Sequence, residues 1–281
     1  MSIYFNQPLK QDNIYLTSSV VSMKDLTGLS PRQGLEKAII CNNEIVNVVS
    51  SKYGHLPNED FFLQATMKLD EAGINYDTRS IARGNRSFAV DYILNDPSIN
   101  IEVKGNNDII KPMIRLVNSY DGSSKTHGSF GYFRQVCSNG LHINTTKIAF
   151  NIKHHSGISE VVMPEIDKLV KRFIDNEYYT LRRRFEVLAE TLVENPLEYI
   201  KEVCNATKVF QYQASDKNTG PSANSRLVLN IAHEEASHLG SPINKWLIYN
   251  AFNNVLHNKL QKTFQSQQAI DTELFTFINS N

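Results

Sequence analysis

The spacing of apolar and polar positions predicts a helix early in the chain. The segment NEDFFLQATMKLDEAG, which starts at Asn58, has acidic residues near its beginning and ends at Gly73. It places Phe62, Thr66 and Leu69 on one face. Acidic side chains suit the N-terminus of a helix and glycine suits its C-terminal cap, so these features together indicate a helix. The apolar pieces before it are too short to distinguish strand from helix.

After this helix the pattern changes to that of strands. Runs rich in β-branched and aromatic residues alternate with clusters of Gly, Asn, Pro and Asp, which is typical of strands joined by turns. The runs are INYDTRSIAR, RSFAVDYIL, NIEVKG, PMIRLVNSY, GYFRQVCSN and KIAFNIKHH. They predict a central antiparallel sheet, with a long β-hairpin in VNSYDGSSKTHGSFGYFRQVCSNGL, residues 117–141.

Past Gly157 the apolar spacing lengthens to about 3.6 residues, as in amphipathic helices. One stripe runs from Ile166 to Ile174, and another continues from Leu181 to Leu192. A third helix is predicted from the capping residue Asn195 and the first-turn Pro196. The last helix is predicted to begin at Ser241, and residues 215–225, SDKNTGPSANS, are predicted to form a loop.

The succession of elements predicts an α+β fold. A central antiparallel sheet with a long β-hairpin packs on helices and is followed by a helical C-terminal region. The expected organisation is a sheet domain over residues 1–156 and a helical region over residues 157–281 that packs on it, or one continuous domain.

Composition narrows the partners and the compartment. The 281 residues carry 29 basic and 29 acidic side chains, so no global field draws the chain to a polyanion, and any such attraction must be local. The three cysteines, Cys41, Cys137 and Cys204, are odd in number and far apart, which suits reduced thiols in a cytoplasm. No apolar run approaches the ~20 residues of a membrane span, so a cytoplasmic protein is expected.

The chemical motifs favour a protein without a catalytic centre. HEEASH, residues 233–238, resembles a zinc-protease signature but spaces its histidines five apart, so that they diverge by about 140° on a helix. Glycine-rich phosphate loops and the G-x-S-x-G elbow are absent from the sequence. Neither a metal nor another cofactor is expected, and an enzyme is the less favoured class.

The central segment departs from the neutral balance of the whole chain. Residues 97–155 contain seven lysines or arginines against three acids. Aromatic residues are interleaved with the cations, which is typical of a sheet that follows phosphates and stacks bases. The predicted nucleic-acid contacts are Lys104, Lys111, Arg115, Lys125, Tyr132, Arg134 and Lys153. About half of the aromatics are equally expected in the core, because the strand register is undecided.

Short polar side chains accompany these cations. The predicted polar cluster consists of Asn118, Asp121, His127, Asn139, His155 and His257. Turn formation alone explains several of them, since Asn and Asp bond their own backbone. Alternatively, they line a pocket with directed hydrogen bonds.

Four blocks in this order and spacing resemble a known family. They are NSYDGS (118–123), R-x-V-C-S-N-G-L (134–141), KHH (153–155) and KWLIYNAFNNVLH (245–257). Over residues 55–260 the chain resembles the phage and plasmid family called domain of unknown function 932, where the third block more usually reads R-H-T. The resemblance implies a phage or prophage origin and an α+β core, with no settled activity.

Two functional hypotheses follow from this resemblance. In the first, the chain resembles single-strand annealing recombinases more distantly and binds single-stranded DNA as a homo-oligomer without an active site. In the second, it is a phage interaction factor, such as an inhibitor of a host defence system. That factor would bind a host protein or a small ligand through the polar cluster.

Overall fold

A computed structural model describes residues 9–95, 101–103, 108–134, 139–141, 150–174, 182–215 and 218–280. Strands dominate the first half of the chain. The described strands of the whole chain are β1 (Ser18–Ser22), β2 (Lys37–Cys41), β3 (Glu44–Val49), β4 (Tyr76–Arg83), β5 (Ser87–Leu94), β6 (Ile101–Val103), β7 (Asp108–Ser119), β8 (Thr126–Arg134), β9 (Asn139–Leu141), β10 (Phe150–Ile152), β11 (Gln213–Ser215) and β12 (Asn218–Pro221).

Helices dominate the second half. The described helices of the whole chain are α1 (Met23–Thr27), α2 (Asn58–Glu71), α3 (Ile158–Ile174), α4 (Arg182–Glu190), α5 (Pro196–Thr207), α6 (Ala223–Leu239), α7 (Lys245–Asn258) and α8 (Phe264–Ser280). This arrangement confirms the predicted α+β class and the helical C-terminal region. None of the described helices combines the length and apolarity needed to cross a membrane.

The main sheet is antiparallel throughout its described pairs. Its strand order is β10-β8-β7-β5-β4, with β6 added to β7 and β9 added to β8. The predicted long hairpin is β7 and β8, which pair in register from Ile110 with Arg134 to Val117 with His127. Asp121 and Gly122 lie in the connection between them, where Gly122 has a φ of +72°. Glycine adopts this left-handed conformation at no steric cost.

One face of the main sheet belongs to the principal core. Because alternate residues of a strand share a face, Tyr92, Ile114 and Phe130 lie side by side on neighbouring strands. They belong to the same buried cluster as apolar residues of α2 and α3. The Tyr92 hydroxyl donates to the Phe62 carbonyl of α2 at 3.0 Å. The periodicity of α2 thus buries the side that the sequence predicts.

The opposite face carries two small apolar clusters with charged residues between them. Ala89 and Val117 pack with Phe264, at the start of α8, while Ile93 and Met113 pack with Phe133. Since α8 supplies Phe264, the C-terminal part of the chain reaches this second face.

A smaller sheet, in the order β1-β2-β3, precedes α2. Asn42 and Asn43 join β2 to β3 with φ values of +49° and +63°. Asparagine tolerates this region better than most residues, which makes a two-residue hairpin turn possible. The sheet is attached to the core through Ile39 and Cys41, both fully buried.

The C-terminal region differs from the sequence prediction in three places. Most described residues of the predicted loop 215–225 belong to regular elements, because Ser215 ends β11, Asn218–Pro221 form β12, and α6 begins at Ala223. The helix predicted from Ser241 starts at Lys245, where the Asn244 side chain accepts from the Leu247 amide at 3.0 Å. That helix is α7, and α8 follows it.

The other predicted helices agree with the structure. Asn195 caps α5 by accepting from the Glu198 amide at 3.3 Å. Among the described side chains of the predicted stripe, those on α3 and α4 are buried, namely Ile166, Leu169, Val170, Phe185 and Leu188. Leu192 lies beyond α4 and is 59% exposed, and the side chains of Phe173, Ile174 and Leu181 lie outside the described residues. The proposed boundary after residue 156 separates β10 from α3, and one buried cluster contains residues from both sides of it.

Candidate functional site

The register of the β7–β8 hairpin divides the predicted nucleic-acid contacts between two faces of the sheet. Tyr132 and Arg134 point to the core face, while Lys111 and Arg115 point to the other. The cations that the sequence places in one segment therefore do not form one continuous surface. Lys104 lies outside the described residues.

Arg134 is enclosed in a buried ionic network. Its Nε donates to Asp108 Oδ2 at 2.6 Å and its Nη1 donates to Glu235 Oε2 at 2.5 Å. Trp246 Nε1 donates to the same Asp108 oxygen at 2.8 Å. All three charged side chains are fully buried. A phosphate contact by Arg134 would require this network to open, so its predicted role finds no support in this conformation.

The network holds two carboxylates against one guanidinium. Burial raises the pKa of Glu235, and the nearby Asp108 adds to that effect against the opposing influence of Arg134. Among the described residues no hydrogen-bond donor reaches Asp108 Oδ1 or Glu235 Oε1. These surroundings shift the equilibrium of Glu235 towards its neutral form, because burial penalises the charged carboxylate.

Arg115 belongs to a second ionic cluster, on the opposite face. It holds Asp91 through two bonds, Nε to Oδ1 at 2.5 Å and Nη2 to Oδ2 at 2.8 Å. Arg79 Nε donates to Asp91 Oδ2 at 2.8 Å. Burial raises the pKa of Asp91, but Arg115 and Arg79 outweigh it and bring the pKa to about 2. Arg115 is only 5% exposed, so it too is not presented to a ligand.

Two other predicted nucleic-acid contacts, Tyr132 and Lys111, already interact with other residues of the protein. The Tyr132 ring is buried and meets Phe185 edge-on, with 5.1 Å between the ring centroids. Lys111 is half-buried and donates to Asn95 Oδ1 at 2.9 Å. Their proposed contacts with bases and phosphates stay predictions.

The polar cluster is mostly part of the framework. Asn118 is fully buried, donates to the Leu56 carbonyl and to Asn58 Oδ1, and accepts from Thr126 Oγ1. Thr126 also lies 3.2 Å from His154 Nε2. This chain of bonds ties the start of α2 to β7, β8 and the segment after β10. It makes Asn118 a structural residue in the described conformation.

The remaining members of the predicted polar cluster do not converge on one pocket. Asp121 accepts from the Ser123 amide within the hairpin turn, and His127 is buried with its Nδ1 at 3.2 Å from the Lys125 carbonyl. His257 lies on α7 with its Nε2 3.7 Å from Asp271 on α8. His155 is exposed. The side chain of Asn139 lies outside the described residues.

Two of the predicted phosphate contacts do come together. β8 and β10 pair from Gly128 with Phe150 to Thr126 with Ile152, so Lys125 and Lys153 are the next residues of the two neighbouring strands. Lys153 is exposed and Lys125 is half-buried. A third exposed lysine, Lys52, lies on an adjoining segment, where its carbonyl accepts from the Ser156 amide three residues after Lys153 at 2.9 Å. We call Lys52, Lys125 and Lys153 the basic corner.

Close contacts among neighbouring segments support the basic corner. The Tyr53 ring stacks on His154, with 5.0 Å between centroids and 5° between planes. His154 Nδ1 lies 3.2 Å from the Gly54 carbonyl, and burial lowers the pKa of His154. Gly54 itself passes close to the chain after β10, since a Cβ there would lie 1.9 Å from the His155 carbonyl oxygen.

The electrostatics of the basic corner suit an anion. Within the described ranges no carboxylate lies within ion-pair distance of any of its three lysines, whereas Arg115 and Arg134 are neutralised by close partners. Two acids lie near Lys52: the Glu36 carboxylate accepts from the Ser51 amide at 3.0 Å, and Asp121 adds to the effect of burial in raising the pKa of Tyr53. Lys52 is missing from the sequence-based set because its contact with Ser156 is purely tertiary.

Residues 45–274 match a protein family described as Domain of unknown function (DUF932). The chain belongs to this family. The match confirms the family resemblance inferred from the four sequence blocks, and it includes α2, the main sheet and all three lysines of the basic corner. The family description assigns no activity. No curated protein and no solved structure matches the chain.

Proposed function

We propose that this member of the DUF932 family binds single-stranded nucleic acid without a catalytic centre, and that the basic corner contacts the phosphates. The observation that carries the proposal is the adjacency of Lys125 and Lys153 at the ends of β8 and β10, with Lys52 on the segment that bonds Ser156. Lysines neutralise phosphates at long range and release counterions, so a small group of them supports sequence-independent binding.

The arrangement favours a surface contact with a backbone. The three lysines come from three separate segments, and the network through Asn118, Thr126 and His154 holds those segments together. A fixed group of ammonium ions binds a polyanion with less loss of entropy than the same lysines on mobile chains.

The proposal includes the wider setting inferred from the sequence. We place the chain among strand-annealing proteins of phages and plasmids, which act as oligomers on a strand. In such an assembly each copy would contribute one basic corner, and many weak contacts along the strand would add up. This setting explains how three lysines per copy suffice.

The test is a measurement of binding to labelled DNA. Fluorescence anisotropy with a single strand of about 30 nucleotides should show tighter binding than with the matching duplex. If about three phosphates are neutralised per copy, log K should fall against log salt with a slope near −2. Replacing Lys125 and Lys153 together by Ala should weaken binding severalfold and reduce the slope to roughly −0.7.

The matched control replaces Lys24 and Lys171, two exposed lysines on α1 and α3, by Ala. This pair produces the same change in net charge away from the basic corner. An equal loss of affinity in both double variants would show that only the total charge matters. Absence of binding to either form of DNA at low salt would refute the proposal and direct attention to a protein partner.

A further inference from the structure

The C-terminal region contains a cleft that neither the sequence prediction nor the proposed function uses. Its volume is about 600 Å³, and it lies between the end of α5, the chain that follows it, and the connection from α7 to α8. This size is within the range of pockets that hold small ligands. The residues that define its chemistry are Lys201, Asn205, Lys208, Phe210, Tyr212 and Lys262.

The charge of the cleft is positive. Three lysines line it, and none of its described lining residues is acidic. Lys201 shares its charge with Glu198, whose Oε1 accepts from Nζ at 2.8 Å. For Lys208 and Lys262 no described carboxylate lies within ion-pair distance. The cleft therefore offers at least two ammonium groups to an anionic ligand.

The cleft also has an aromatic side. One face of Phe210 stacks on Phe252 of α7, with 5.6 Å between centroids and 23° between planes. Tyr212, two residues further on, is half-buried in the same wall. Aromatic rings provide a surface on which a planar base can stack whatever its identity. Amide side chains, among them Asn205, add hydrogen-bonding groups at the rim.

The backbone positions Lys208 in an uncommon conformation. It follows the last residue of α5 in the left-handed region, with a φ of +52°, and its amide donates to the Cys204 carbonyl. Glycine or asparagine usually occupies this capping position, and another residue there is strained. The positive charge of Lys208 is favourable beside the negative end of the α5 dipole. Backbone strain such as that at Lys208 also concentrates at binding sites.

A residue of the main sheet fixes the backbone at Lys262, the second lysine without an acidic partner in the cleft. Arg83 of β4 donates to the Lys262 carbonyl and to Gln267 Oε1, and its guanidinium lies 3.8 Å from the centroid of the Phe264 ring. These contacts fix the connection between α7 and α8, so Lys262 is presented at the cleft by a restrained backbone.

The thiol of Cys204, which also lines the cleft, is an unsuitable nucleophile, because burial raises its pKa to about 12.

We propose that this cleft binds a nucleotide, with Lys208 and Lys262 on the phosphates and Tyr212 and Phe210 against the base. Lysines alone would suit any anion, and the aromatic wall alone would suit any flat apolar ring. Their combination within one cleft selects a ligand that carries both. A free mononucleotide and a nucleotide within a single strand share this chemistry. The inference does not depend on the proposed role of the basic corner.

Calorimetric titration of the whole chain tests the inference. ATP should bind roughly tenfold or more tightly than adenosine or tripolyphosphate alone, because each of these lacks one half of the contacts. Replacing Lys208 and Lys262 together by Ala should weaken ATP binding by about tenfold or more. Tyr212→Leu should weaken it by roughly five- to 100-fold while leaving tripolyphosphate binding unchanged.

A second titration separates the two sources of the nucleotide. If an oligothymidylate of about five nucleotides competes with ATP, the cleft takes nucleotides that belong to a strand. If ATP binds and the oligonucleotide does not, the cleft takes free nucleotides. Both results support the inference. A wild-type protein that binds neither would overturn it, and so would ATP affinities unchanged in both cleft variants.

Two controls keep this result distinct from the test of the basic corner. The Lys24 and Lys171 double variant should bind ATP as the wild type does. The Lys125 and Lys153 double variant should also retain ATP binding, since those residues lie outside the cleft. Circular dichroism of each cleft variant establishes that it is folded. Tripolyphosphate binding as tight as that of ATP, with no effect of Tyr212→Leu, would reduce the cleft to a simple anion site and overturn the nucleotide assignment.

Discussion

At the scale of single residues, Arg134 shows why the number of cations in a segment does not predict a charged surface. Its guanidinium joins Asp108 from the start of β7 to Glu235 from α6, residues separated by more than a hundred positions. Breaking a buried ion pair leaves an uncompensated charge, which costs far more than the pair itself contributes. Arg134 is therefore a structural cation.

We expect Arg134→Met to lower the free energy of unfolding by about 3 to 5 kcal/mol, because Asp108 would lose its counter-ion and Glu235 a buried hydrogen-bond donor. Chemical denaturation at neutral pH measures the change. The matched variant Glu235→Gln should have a much smaller effect, since its amide oxygen can still accept from Arg134 and burial already disfavours the charged form of Glu235. A small effect of Arg134→Met would contradict the description of this network as a structural ion pair.

The same network predicts a dependence on pH. The pKa of Glu235 is raised in the folded state, so its favourable contribution is present below the unfolded pKa of about 4.3 and is lost as pH rises through the folded value. Above that pH, Glu235→Gln should be as stable as the wild type or more stable. Denaturation curves of both proteins at several pH values provide the comparison, and a wild type that gains stability over Glu235→Gln as pH rises would contradict the sign.

At the scale of elements, the close approach of two connections builds the basic corner. The chain between β3 and α2 passes the chain between β10 and α3 at Gly54, where no side chain fits. Lys52 precedes Gly54 on the first connection and Lys153 precedes His155 on the second, so this contact sets the spacing of the segments that carry the two lysines.

We predict that Gly54→Ala separates these two connections and lowers the free energy of unfolding by about 1 to 3 kcal/mol, the usual cost of overpacking. It should also weaken any binding of DNA by the basic corner, because Lys52 would move away from Lys153. Thermal unfolding and anisotropy measure the two effects. Ser156→Ala, an exposed change in the same contact, is the control and should alter neither property. An unchanged melting temperature in Gly54→Ala would mean that the connections tolerate a methyl group.

At the scale of the whole molecule, several histidines are buried in neutral form. Burial lowers the pKa of His127 and of His55 to about 4, in each case the largest effect on the group. Such groups take up protons less readily when folded. The contribution of these neutral histidines to the free energy of unfolding is fully present above the unfolded pKa of about 6.5 and declines as pH falls towards 4.

We therefore expect the free energy of unfolding to fall between about pH 6.5 and about pH 4, before most carboxylates are protonated. His127 alone should account for about 2 to 3 kcal/mol of this fall at pH 4.5. The variant His127→Asn keeps a donor near the Lys125 carbonyl and cannot gain the charge, so its stability should depend less on pH. Equal pH dependence in the two proteins would show that His127 is not buried in neutral form.

The sequence by itself determined the local features whose causes lie within a few residues. Side-chain patterns predicted α2 and the strands of the β7–β8 hairpin, and the residue types at 195 and 196 predicted the capped start of α5. These signals act within single elements. The four blocks were sufficient to indicate the family. The short hairpin β11–β12 and the start of α7 escaped prediction, since polar residues around 215–225 resemble a loop and Ser241 with Pro242 resembles a helix start.

Only the tertiary structure decided which charged residues reach the surface. The register of β7 with β8 and the docking of α6 placed Arg134 in the core, while the pairing of β8 with β10 brought Lys125 beside Lys153. The lysines of the cleft come from the end of α5 and from the connection before α8, more than fifty positions apart. Long-range packing sets such distances. A one-residue shift in strand register would reverse every face, and the run GYFRQVCSN has no clearly apolar face that would specify its register from sequence.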